Sequence, residues 1–220
     1  LVIFRGINVD YFDPSTTLEA EESDLLSSWG VARDKKLILM PGRLTAWKGH
    51  EVFIEALNLV NQELGHPFFY AVILGSDQGR DIYTKKIKRL AEQYRLMPQL
   101  KFVEHCKNMP LAYKVSNLVV SASIEPEAFG RVAIEAQSME KPIIASDIGG
   151  SNETITNNVS GFLFESNNPE SLSKKIIEVL NLDESRLKLI GIEGRKNIIK
   201  KFNVEKMCFS TYSEYKKLLN

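Results

Sequence analysis

Cysteine is scarce: Cys106 and Cys208 are the two in a chain of 220 residues. They stand far apart, so neither a disulfide framework nor a metal-ligand spacing can be built from them. Both are expected to be buried free thiols in a reducing compartment. An excess of either charge is also lacking, since 28 Lys and Arg balance 28 Asp and Glu. A basic excess is the usual footprint of a nucleic-acid binder, and no nucleic-acid partner is expected. No apolar run approaches the roughly 20 residues that a membrane-spanning helix requires, and no signal-peptide pattern is seen. A cytoplasmic location is the resulting expectation. His50, His66 and His105 share no ligand spacing, so no metal is expected. His66, beside Pro67, is expected at the surface and His50 at the cap of a helix. The nucleophile elbow G-x-S-x-G is absent, which removes Ser/His/Asp hydrolase chemistry. An initial Met is lacking as well. The chain opens on Leu1-Val2-Ile3-Phe4, and a fragment of a larger protein is expected.

What is present is an ordinary globular composition, 44% hydrophobic and 25% charged, and a chain of this length buries roughly 70% of its unfolded surface. Strands are expected at 36–40, 69–74, 100–103, 118–122, 141–145 and 161–164, the fifth led by a proline that a first strand position tolerates. Helices are expected at 51–63, 81–94, 111–115, 131–139, from Gly149-Gly150 through 155, and at 169–180, 184–200 and 204–219, with a surface helix at 19–29. Continuous apolar strands alternating with helices predict an α/β domain, a Rossmann-like doubly wound parallel sheet buried on both faces. Residues 1–220 read as a single domain, with 1–35 as leader or linker and 203–220 as a C-terminal helix. Such a sheet takes its ligand at the carboxyl ends of its strands. The stretches 42–49, 75–80, 104–109 and 121–135 all follow strands and carry the residues of chemical interest.

Three of these loops stand out. Gly42-Arg43-Leu44-Thr45-Ala46-Trp47-Lys48-Gly49 sets two cations five residues apart between a strand and a helix, which suits a diphosphate or is a solvated loop with two surface cations. It matches neither the Walker A pattern nor G-x-G-x-x-G. Next, Glu127 lies just ahead of a helix opened by Gly130, and Glu135 lies about two turns into it. Free amides near Phe129, Gly130 and Arg131 would meet an anion between the two carboxylates. Glu135 sits among Val132, Ala133, Ile134 and Ala136, and a carboxylate in such company needs a partner. Third, Asp147-Ile148-Gly149-Gly150-Ser151-Asn152-Glu153 is either a ligand contact or a strand-to-helix turn. Trp29 and Trp47 are expected to be packing residues.

Arg5-Gly6-Ile7-Asn8-Val9-Asp10-Tyr11-Phe12, Gly42-Arg43…Lys48-Gly49, Leu74-Gly75, Glu127-Ala128-Phe129-Gly130…Glu135-Ala136 and Gly149-Gly150…Glu153 occur in that order. Over nearly the whole chain, this series resembles the C-terminal, donor-binding domain of family 4 retaining glycosyltransferases of the GT-B fold, the glycosyl transferases group 1. The resemblance implies a UDP- or GDP-sugar donor, no cofactor and no metal. It implies catalytic roles for Glu127, Arg43 and Lys48, and substrate contacts from Gly42, Phe129, Gly130, Arg131 and Glu135, the last on the ribose. The base would lie by the loop at 104–106, near His105 and Cys106. It further implies retaining transfer of a hexosyl unit to a glycan or lipid-linked acceptor, as in bacterial lipopolysaccharide or envelope polysaccharide synthesis. The acceptor would be held by an N-terminal domain outside this chain, with the full-length enzyme at the inner face of the cytoplasmic membrane. The apolar residues Met207, Phe209, Tyr212 and Leu218 of the last helix are then expected to be partly exposed. Two departures are Glu140, where the family commonly has Gly, and a second acid at Glu125. The competing readings are a non-catalytic nucleotide-sugar-binding module and another GT-B enzyme, such as a sugar-nucleotide epimerase.

Overall fold

Six strands form one parallel sheet in the computed structural model, which describes residues 2–17, 19–65, 69–79 and 81–219. They are β1 (Lys36–Pro41), β2 (Phe69–Leu74), β3 (Leu100–Val103), β4 (Leu118–Ser121), β5 (Ile143–Ser146) and β6 (Phe162–Phe164), in the order β3-β2-β1-β4-β5-β6. The helices are α1 (Glu19–Ser28), α2 (His50–Leu64), α3 (Asp81–Gln93), α4 (Met109–Val115), α5 (Arg131–Ser138), α6 (Ser151–Thr154), α7 (Pro169–Leu180), α8 (Glu184–Lys201) and α9 (Val204–Leu219). Successive strand side chains point to opposite faces, and both faces are covered. Ile38, Met40 and Ile73 join Phe53 and Leu57 of α2, Ile87 of α3 and Ile176 of α7 in one core. Leu37, Leu39 and Val72 join Leu26 of α1, Tyr113 of α4, Ile134 of α5 and Ile198 of α8 in the other. No described helix is long and apolar enough to cross a membrane.

The segment ahead of β1 is bound into the second core. Ile7, Phe12, Trp29 and Val31 are buried. Ile7 exchanges backbone bonds with Phe202 and Val204 at 2.9 and 3.0 Å. Asp13 pairs with Arg195 of α8 at 2.5 Å, and the Phe12 carbonyl accepts from Ser138 and Arg195.

Four expectations need correction. β5 starts at Ile143, because Lys141 donates back to the Ala136 carbonyl and closes the end of α5; Pro142 leaves only its carbonyl to the ladder, accepting from Val119. α6 ends after four residues, at Thr154, where Ile155 turns extended into the core. His50 is not the cap: Gly49 is, and His50 is wholly buried in the first turn of α2. The cysteines are not buried. Cys208 is exposed on α9, a helix with no buried residue, and Cys106 is half-buried in the loop after β3. His66 lies outside the described residues. On α9, Phe209, Tyr212 and Leu218 are 71%, 65% and 82% exposed and Met207 is partly so, as the resemblance implied.

Two consequences can be measured. Glu140 ends α5 in the left-handed conformation, φ +55°, that glycine adopts without strain. Glu140→Gly is expected to raise the unfolding free energy by about 0.5–1 kcal/mol, read from urea denaturation. Burial holds the His50 imidazole down to about 4 from 6.5. Below pH 6.5 the unfolded chain therefore takes up a proton that the native state refuses. Stability from this group is complete above pH 6.5 and falls as pH drops toward 4, by about 3 kcal/mol at the lower end. His50→Gln is expected to flatten the stability–pH curve over that window; an unchanged slope would refute the assignment.

Candidate functional site

The order β3-β2-β1-β4-β5-β6 reverses between β1 and β4, which pair through Ile38↔Leu118 and Leu39↔Val119. Chain connections diverge there, and a crevice opens at the carboxyl ends of the strands. A cleft of about 1440 Å³ occupies this place. One wall is Pro41–Arg43 with Trp47 and Lys48, a second is Glu127–Val132 with Glu135 and Glu153, and a third is Val2–Asn8 with Tyr11 and Met207.

The loop after β1 is held by backbone contacts at both ends. Gly42 donates to the Leu74 carbonyl at 2.9 Å and Leu44 to Ser76 at 3.1 Å, while Ile124 donates to Trp47 at 2.8 Å. Gly49 has φ +73°, and a Cβ there would stand 1.8 Å from the Ala122 carbonyl oxygen, so only glycine lets this loop close on the end of β4. The Lys48 ammonium lies 4.4 Å above the Trp47 ring and 2.8 Å from Glu127 Oε1. Arg43 is exposed on the cleft wall and, among the described residues, makes no ion pair. The two cations are therefore unlike: one is tied to a carboxylate and one is open to a ligand.

Glu127 is fixed from three sides. Besides Lys48, the buried Ser123 hydroxyl donates a very short bond to the same oxygen, Oε1. Its carbonyl accepts from Gly150 at 2.8 Å. A Cβ on Gly149 would fall 2.7 Å from that carbonyl oxygen, and one on Gly150 2.7 Å from Phe129 Cα. The Gly149-Gly150 pair, readable in sequence as a ligand contact or a turn, is the bed on which the Glu127–Phe129 loop rests. Gly130 caps α5 at φ +72° with no side-chain cap bond. Gly130, Arg131 and Val132, at the start of α5, line the cleft, while the Ala133 amide donates to the Gly130 carbonyl at 3.0 Å.

Glu135 has the partners its surroundings demand. It is 6% exposed, accepts from the Tyr113 hydroxyl at 2.8 Å, and accepts from Arg131 Nη2 and Nε at 2.7 and 3.1 Å. Sequence reasoning missed Tyr113, and it singled out the stretches that hold Ser123 and the third wall without giving them a role. Tyr113 reads as one more apolar residue of a short helix, and its contact spans 22 residues.

Gly42, Arg43, Lys48, Glu127, Phe129, Gly130, Arg131 and Glu135 all line the one cleft. His105 and Cys106 do not. They follow β3, the edge strand two places from β1, where His105 is exposed and the Cys106 thiol contacts the Asn108 carbonyl at 3.2 Å. Among the described residues no group of three or more His, Cys, Asp or Glu is placed to hold a metal ion.

The profile of the Glycosyl transferases group 1 family matches residues 22–196. A crystal structure of a glycosyltransferase from Rickettsia africae ESF-5 superposes with a TM-score of 0.95 at 37% identity, over 100% of this chain and 57% of that one. Anabaena Alr3699/HepE, solved in complex with UDP and glucose, superposes at 0.89 with 25% identity, over 99% of this chain and 57% of that one. The C-terminal domain of the group 1 protein LpcC from Francisella tularensis superposes at 0.77 with 25% identity, over 90% of this chain and all of that one. The chain spans about half the length of the curated relatives it matches. With these matches over a Rossmann-like cleft of fixed carboxylates and cations, the chain belongs to the Glycosyl transferases group 1 family, as the C-terminal domain of the GT-B fold.

Proposed function

We propose that this chain is the donor half of a family 4 retaining glycosyltransferase, binding a UDP- or GDP-hexose without a metal. The observation that carries the reading is convergence: Arg43, Lys48, the start of α5, which has no side-chain cap bond, and the carboxylates Glu127 and Glu135 meet in one cleft at the switch point. HepE, of the same fold, is described with UDP and with UDP-glucose. In this reading Arg43 and Lys48 hold the diphosphate and Glu135 holds the ribose. Gly42, Phe129, Gly130 and Arg131 line the phosphate and sugar, and the base runs toward the loop of His105 and Cys106.

As the bond between sugar and diphosphate breaks, negative charge grows on the leaving group. Lys48, held in place by Glu127, the open Arg43 and the start of α5 stabilise that charge. Glu127, its carboxylate already shared by Lys48 and Ser123, is an acceptor for sugar hydroxyls and not a nucleophile. The acceptor attacks from the face the diphosphate leaves, its proton passes to the leaving phosphate, and the anomeric configuration is retained. A second domain supplies the acceptor, a glycan or lipid-linked sugar of the bacterial envelope such as a lipopolysaccharide precursor, and packs on the exposed face of α9. The whole enzyme would work in the cytoplasm, against the inner face of the membrane.

Calorimetric titration with UDP, GDP and ADP, with and without Mg²⁺, tests the donor site. One nucleotide is expected to bind equally well in both conditions. Arg43→Ala and Glu135→Ala are each expected to weaken it about tenfold or more, the scale of a charge-assisted hydrogen bond. Binding of none, or binding that requires Mg²⁺, would overturn the reading.

A further inference from the structure

We infer that Tyr113 is a positioning residue for Glu135 and, through it, sets the preference of the cleft for a ribose over a deoxyribose nucleotide. This rests on the proposed assignment of Glu135 to the ribose. Tyr113 is fully buried in α4, with Phe12 edge-on at 6.1 Å. Its hydroxyl donates to Glu135 Oε2 at 2.8 Å. Burial and the adjacent carboxylate push the phenol well above the ordinary tyrosine range, so it remains a donor.

The other side of Glu135 is held differently. Both Arg131 bonds fall on Oε1, and the Arg131 side chain is 71% exposed. A carboxylate offers about four lone-pair directions. Arg131 takes two on Oε1 and Tyr113 takes one on Oε2, which leaves one on Oε2, beside the buried phenol. Arg131, being exposed, can withdraw into water where a ligand hydroxyl takes its place on the buried carboxylate. The carboxylate cannot turn away from Tyr113 without stranding a buried hydroxyl. Tyr113 therefore fixes the carboxylate plane, and with it the direction of the lone pair that a ribose hydroxyl would meet. Arg131 is the partner that can yield, freeing Oε1 for a second hydroxyl.

The test is calorimetric titration of UDP, GDP and their 2′,3′-dideoxy forms into the chain and its Tyr113→Phe, Glu135→Gln and doubly substituted variants. Phe keeps the ring and removes only the hydroxyl. The unsubstituted chain is expected to prefer the ribonucleotide about tenfold or more. Tyr113→Phe should cost about threefold to tenfold on that ligand and change dideoxy binding by less than about twofold. The doubly substituted chain should match Glu135→Gln. Partial unfolding scales both affinities alike, so the ratio of the two ligands remains diagnostic, and thermal melting reports the fold. A Tyr113→Phe variant that keeps the full ribose preference, or that weakens both ligands equally, overturns the inference while the donor site stands. An unsubstituted chain that binds nucleotide without ribose preference overturns the ribose assignment. One that binds neither UDP nor GDP overturns the donor reading and this inference together.

Discussion

The reversal of strand order between β1 and β4 is the constraint on which the site depends. In a parallel sheet every connection must cross back over a face, and where successive crossovers depart in opposite directions no chain covers the strand ends. The loop after β1 and the loop after β4 are thereby set side by side, and each carries one half of the polar machinery. The contact between them is close at the backbone. A Cβ at Gly49 would stand 1.8 Å from the Ala122 carbonyl oxygen; on the other flank, one at Gly75, just after β2, would stand equally near the carbonyl oxygen of Gly42. A side chain at Gly49 would wedge the β1 and β4 loops apart.

Within that cleft Glu127 and Glu135 follow one pattern. Each is held by one cation and one hydroxyl: Glu127 by Lys48 and Ser123, Glu135 by Arg131 and Tyr113. The hydroxyl partner is buried in both cases, and the Glu135 cation is largely exposed. A hydroxyl donor satisfies a carboxylate without neutralising it. An anionic acceptor can therefore stand in a half-buried wall and still bond to a polar ligand. The same economy explains the bed under Glu127. Gly149 and Gly150 have no side chains to interpose, and the Glu127 loop settles onto their backbone.

The third wall couples the ends of the chain to this site. Ile7 bonds to Phe202 and Val204 at the α8–α9 junction, and the Phe202 ring meets Phe4 at 5.4 Å and Phe129 at 5.9 Å. A continuous aromatic contact thus runs from the first residues, through the junction, to the loop of Glu127.

Local sequence determined the elements and the chemistry. Apolar runs of four to six residues bounded by glycine, proline and charge placed all six strands, and helical periodicity placed the helices to within a few residues. The spacings of Arg43 to Lys48 and of Glu127 to Glu135 carried the polar half of the site, because those residues lie on single loops or one helix, where distance along the chain is distance in space. The burial of Ile7 and the exposure of Cys208 were not legible, since each depends on which helix lies against the segment. Tertiary structure alone decided which strand-end loops share the cleft. Strand order put β1 beside β4 and left β3 at the edge, so the loop of His105 and Cys106, equivalent to the others in sequence, lies outside the cleft lining. It alone also brought Tyr113 to Glu135, because that contact joins two crossover helices. No periodicity within either helix specifies its neighbour; only the packing of both against one face of the sheet does.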